Sequence, residues 1–173
     1  MVSRRDDEEF DAFMTASWSS LYRTAVLMTG DTHLAEDMLQ NAMGKVYKAW
    51  HRVSRVEHPR SYARAILANE VSTWWRRRSS SELPVETWPE STSTSGLDDQ
   101  VVEADLMWQA LGTLPARQRA VVVLRYYEDL SGVEIASVLG ISEGTVKAHT
   151  HRALRALETA LTAGAANERG PQA

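Results

Sequence analysis

From Ser79 to Ala116 the chain contains no lysine or arginine, and the first part of that interval, SSSELPVETWPESTSTSGLDD (Ser79 to Asp99), repeats with neither the period of two of a strand nor the 3.6 of a helix. It is acid-rich and holds clustered Ser and Thr and two of the five prolines, so it reads as a flexible acidic linker. Both flanks carry helical periodicity. The expectation is an all-α protein of two small helical domains on a tether: a three-helix unit over 1–78, the linker over 79–98, a four-helix unit over 99–163, and a disordered tail over 164–173.

Upstream, a first helix is expected from about Glu8 to Met28, with Phe10, Phe13, Met14, Leu21 and Ala25 on one face and Gly30 as its stop. A second runs from about Thr32 to Val53. Its apolar stripe is Ala35, Met38, Leu39, Ala42, Val46, Trp50 and Val53, which leaves Asp37, Gln40, Asn41 and Lys45 on its flanks. The third starts just after Pro59 and spans Arg60 to Arg78. Downstream, shorter helices are expected over Asp99–Leu111, Pro115–Tyr127, Gly132–Leu139 and Ser142 to about Leu161.

The 173 residues contain no cysteine, which removes disulfides, thiolate chemistry and Cys-based zinc sites, and the five histidines form no recognisable ligand set. No metal or other cofactor is expected. No window approaches the ~20 uncharged apolar residues of a membrane span, and MVSRRDDEEF runs into acids rather than an apolar signal core, so the chain reads as cytosolic, without membrane insertion. The net charge of −4 misleads as a guide to partners, because the acids cluster in two blocks, Asp6 to Asp11 and Glu82 to Asp105. Base is concentrated in WWRRR (Trp74 to Arg78) and in ISEGTVKAHTHRALRAL (Ile141 to Leu157), a distribution suited to nucleic acid.

The last two helices are separated only by Gly140 and Ile141, with Gly140 supplying the left-handed turn and Ser142 the N-cap. A short helix bearing EIASVLG, a tight turn and a longer basic helix make a helix-turn-helix pattern, in which the second helix enters a major groove. The bland alternative is a helical hairpin whose basic face is merely solvated. No nucleophile, base and orienting acid fall into a motif and no glycine-rich phosphate loop occurs, so no catalytic residue is assigned.

LPARQRAVVVLRYYEDLSGVEIASVLGISEGTVKAHTHRALRAL resembles the promoter-binding region four of bacterial sigma factors, while GTVKAH also resembles the helix-turn-helix of LuxR-type regulators. The N-terminal half separates the two. AEDMLQNAMGKVY and RSYARAILANEVSTWWRRR resemble region two of the extracytoplasmic-function (ECF) sigma factors, and LMTGD, YARAILAN and WWRRR are similar to the SigE-like subgroup. The chain departs from the family pattern at Met43, where an aromatic is usual, and at Thr73, where Asp or Asn is common.

The resemblance implies a transcription initiation factor, not an enzyme, that binds core RNA polymerase through its clamp helices and flap, reads an upstream and a downstream promoter element, and assists melting. Its implied partners are that polymerase, promoter DNA and, among proteins able to hold the domains off DNA, an anti-sigma factor. The alternative is a free-standing, LuxR-like regulator acting without polymerase. Polymerase docking is implied for Asp37, Gln40 and Asn41, with Leu39 packing nearby. Downstream contacts are implied for Arg60, Arg64 and Asn69, with Arg76, Arg77 and Arg78 gripping duplex phosphates. In the upstream reader the positions are Lys147, Ala148, His149, His151 and Arg152, with Ser142, Thr145 and Arg155 toward phosphate. Arg119 is a further candidate backbone contact, its alternative being a surface salt bridge with Glu128 or Asp129. Of Trp74 and Trp75, one ring is expected to cap the domain core and the other to be partly exposed.

Overall fold

The computed structural model describes residues 4–78 and 99–168; the linker read over 79–98 and the chain end beyond 168 lie outside the described residues. Among the described residues there is no strand, and no helix is long and apolar enough to cross a membrane. The helices are α1 (Arg4–Thr29), α2 (Thr32–Lys48), α3 (Trp50–Val53), α4 (Pro59–Arg78), α5 (Asp99–Gly112), α6 (Ala116–Val122), α7 (Gly132–Leu139) and α8 (Glu143–Glu168), with a π-helical turn (Val123–Tyr127) prolonging α6.

In the N-terminal half α1, α2 and α4 pack on one another around Leu21, Met28, Leu39, Val46, Leu67 and Val71, all fully buried. The stripe expected on the second helix is buried throughout, but the helix is not continuous. It ends at Ala49 (φ −101°, ψ 4°), and the short α3 re-aims Trp50 against Phe10 and Phe13 at ring-centroid distances of 5.2 and 4.9 Å. Asp31 caps α2, its Oδ1 accepting from the amides of His33 and Leu34. Trp75 is buried in the same core; Trp74 is half-buried, with the Arg78 guanidinium 4.8 Å from its ring centre.

In the C-terminal half α8 lies across α5, α6 and α7, burying Val146, Ala153 and Leu157. Ser131 and Glu134 form a reciprocal capping box at the start of α7, a bonding that lowers the Glu134 carboxyl below its usual range. Gly140 ends α7 at φ 65°, and Ser142 Oγ accepts from the Thr145 amide to start α8, the turn the sequence implies. Because a non-glycine residue in the left-handed region costs about 1–2 kcal/mol and no backbone crowds the site, Gly140→Ala should lower stability by that amount. A fall in the urea midpoint with unchanged slope is the expected readout. The last helix runs past Leu161 to Glu168, so residues 164–168 of the expected tail are helical: TAGAAN is alanine-rich, and no proline interrupts α8.

The two halves do not stand apart. One hydrophobic cluster runs from α1, α2 and α4 into α6, the π turn and α7, taking in Ala120, Val121, Leu124, Ile135 and Leu139. Ser72 Oγ donates to the Leu139 carbonyl at 3.3 Å across the junction.

Candidate nucleic-acid interface

The first turns of α8 follow from its start: Ser142 satisfies an amide of the first turn, Val146 anchors the inner face, and the outer arc is left polar. Lys147 and His151, four apart and therefore stacked, are exposed and line an open cleft of about 600 Å³ with Tyr126 and Val133. Arg152 and Arg155 are exposed beside them, and Ser142 is exposed at the helix start. Thr145 and Ala148 are half-buried.

His149 departs from the expected reading face. It is half-buried, its Nδ1 is enclosed without a hydrogen-bond partner, and desolvation, aided by Arg152 and Arg117, lowers its pKa. The neutral ring therefore belongs to the inner flank of α8. Two residues along a helix turn the side chain by ~200°, which is why His151 faces out while His149 does not. Arg125, exposed on the π turn, lines the same cleft as Lys147, and periodicity alone gave no signal for it.

Arg119 is corrected from a surface contact to a buried anchor. It is 4% exposed, and its guanidinium donates to the carbonyls of Met28 (3.1 Å), Thr29 (3.0 Å) and Leu114 (3.4 Å). The first two are carbonyls of the last turn of α1, which lack helical partners there, and α1 carries no basic residue in its own last turn. Arg119 supplies that cation from the other half of the chain, and its expected alternative partner, Glu128, is engaged elsewhere.

The loop before α4 and the helix's first turns form the second surface. Arg60 and Arg64 share an open cleft of about 500 Å³ with Glu57, His58 and Pro59. Arg60 is exposed, whereas Arg64 is held by Glu128, Nη1 to Oε2 at 2.9 Å, with side chains 18% and 4% exposed respectively. Asn69 is exposed on α4 but outside this cleft. Arg76 and Arg77 are exposed at the far end of α4, Arg78 is half-buried there, and Arg76 donates to Thr73 Oγ1 at 2.9 Å.

On α2, Asp37, Gln40 and Asn41 are exposed together, with Gln40 Nε2 bonded to Glu36 at 3.3 Å. Leu39, placed in the apolar stripe and packing beside these residues, is fully buried in the core beneath them and so offers a partner no surface of its own. The face is held by the ion pair of Lys45 with Glu70, which ties α2 to α4.

Among the described residues no cluster of His, Asp and Glu could hold a metal ion. Residues 17–81 match the model of sigma-70 region 2, and residues 104–157 match that of sigma-70, region 4. The chain is 36% identical over 155 residues to an RNA polymerase sigma-E factor of Streptomyces coelicolor, covering 90% of this chain and 87% of that one. It is 31% identical over 145 residues to the ECF RNA polymerase sigma factor SigL of Mycobacterium tuberculosis, 82% of each chain. Among solved structures, the sigma factor RpoE of Bartonella quintana, in complex with the anti-sigma factor NepR, matches the fold with a TM-score of 0.65 at 20% identity, over 90% of this chain and 98% of that one.

Proposed function

The chain belongs to the ECF sigma factors of the sigma-70 family, and from that membership we infer its work: it is a transcription initiation factor that binds core RNA polymerase and directs it to specific promoters. The observation that carries this reading is the pairing, in one chain, of a region two and a region four; a free-standing regulator would not need the first. The chain performs no catalysis itself, the polymerase supplying the chemistry in the cytoplasm.

Within that function, Asp37, Gln40 and Asn41 are the docking face for the polymerase clamp. Arg60, Arg64 and Asn69 take the downstream element, where the unstacking of bases, a cost of a few kcal/mol, is offset by charge and amide contacts. Arg76, Arg77 and Arg78 hold duplex phosphates. Lys147, Ala148, His151 and Arg152 read the upstream element, with Ser142, Thr145 and Arg155 on the backbone. Arg119 and His149, turned inward, are not carried forward as DNA contacts. An anti-sigma factor is a natural regulator, since the related fold in Bartonella quintana is seen bound to one.

Run-off transcription with purified core polymerase and a promoter library tests the function. Specific transcripts should appear only with both components present. Tight promoter footprints by the chain alone, with core polymerase adding neither affinity nor transcripts, would return the regulator reading.

A further inference from the structure

Glycine weakens a helix relative to alanine because it has more backbone freedom to lose, so a glycine inside a helix needs a reason to be there. Other glycines of this chain show theirs. Gly30 and Gly140 occupy left-handed turns, and Gly164, inside α8, passes so near α5 that a Cβ would stand 3.1 Å from Leu106 Cδ2. Gly44 does not. It lies four residues before the end of α2, its backbone is not left-handed, and among the described residues no atom beyond its own helical turn comes within 4 Å of where its Cβ would be. Alanine would fit the free chain there and would hold α2 better.

Its place on α2 suggests what the missing side chain leaves room for. Asp37, Asn41, Gly44 and Lys48 follow one another at helical steps of four, three and four residues, so they form a single ridge, with Gln40 beside it. All five are exposed, while Ala35, Leu39, Ala42 and Val46 are buried on the opposite side. The ridge continues the docking face and has a notch at Gly44. Charge changes sign across that notch, with Asp37 before it and Lys48 after it. Because packed helices approach as closely as the side chains between them allow, a notch at the centre of an exposed face admits a partner to the helix backbone itself.

We propose that Gly44 is the point where core RNA polymerase comes closest to this chain: a polymerase segment crosses α2 there, against the bare helix backbone, with positive charge toward Asp37 and negative charge toward Lys48. The proposal rests on the reading of Asp37, Gln40 and Asn41 as the docking face. Helix stability is given up in the free chain for fit in the complex. A Cβ at position 44 would hold the two surfaces apart and loosen the neighbouring contacts too, because a well-packed interface core tolerates added volume no better than a protein interior does.

The test measures two quantities on the same full-length variants: the urea midpoint of the free chain, and its affinity for purified core polymerase by fluorescence anisotropy of an N-terminal fluorescein. Gly44→Ala should raise the midpoint yet weaken binding on the order of tenfold, and Gly44→Leu, also a good helix former, should weaken it further. A glycine with no part in docking would move stability alone. Lys48→Glu should weaken binding several-fold at low salt, a difference that shrinks as salt rises. Gly44→Ala and Gly44→Leu chains with parental affinity overturn the close approach, as does a lowered midpoint for Gly44→Ala, which would show that the glycine serves the fold. Parental affinity of Lys48→Glu at low salt overturns the polarity assigned to the crossing segment. If the Gly44 variants bind as the parent does while the Asp37 and Gln40 variant does not bind, the docking face stands without Gly44. A parent chain that does not bind core polymerase overturns the functional reading instead.

Discussion

Charge reversal at Asp37 combined with Gln40→Ala should abolish co-elution of the chain with core RNA polymerase in size-exclusion chromatography and leave its helical circular dichroism unchanged. Both side chains are exposed on α2, while the residues that hold that helix, Ala35, Met38, Leu39 and Ala42, lie on the opposite, buried stripe. Exposed substitutions of this kind change folding stability by no more than about 0.5 kcal/mol. Binding is different, because a few central contacts carry most of an interface's energy, at about 2 kcal/mol or more each, and an introduced like charge adds repulsion. Parental co-elution would place the docking face elsewhere. Lost helicity would mean that the pair supports the fold.

Lys147→Ala and Arg152→Ala should each remove base preference at one position of the upstream element, at about 1–3 kcal/mol of discrimination, whereas Arg155→Ala should weaken binding to all sequences alike and lower the salt slope by about one. The difference follows from position along α8: a recognition helix enters a groove by its N-terminal turns, and Arg155 lies a further turn toward the C-terminus. A promoter-library selection with each variant holoenzyme, together with a salt titration, separates the two kinds of loss. If every upstream preference survives both substitutions, the exposed arc of α8 acts only through charge.

The helix-turn-helix was legible because its signals are local: a capping serine, a glycine where the backbone must turn left-handed, and apolar residues at helical spacing. The buried stripe of α2 was legible for the same reason. What the sequence hid depends on distant partners. Arg119 reads as a surface cation until the carbonyls at the end of α1 are seen beside it, and Leu139 and Val121 look like ordinary members of a small domain's core although their cluster continues into the other half. The break at Ala49 has no glycine or proline to announce it; the pull of Trp50 into the Phe10 and Phe13 rings decides it.

The Arg119 anchor limits how freely such a chain can trade its halves with a relative. A recombinant that joined these α1–α4 helices to a foreign region four would inherit a proposed DNA-reading helix face from each parent. If the incoming partner lacked an arginine at this place, the carbonyls of Met28 and Thr29 would lose their donors, and the apolar seam between α1 and α6 would meet a surface of another shape. Mosaic inheritance in this architecture is therefore screened by how the halves fit each other at rest, before any promoter is encountered.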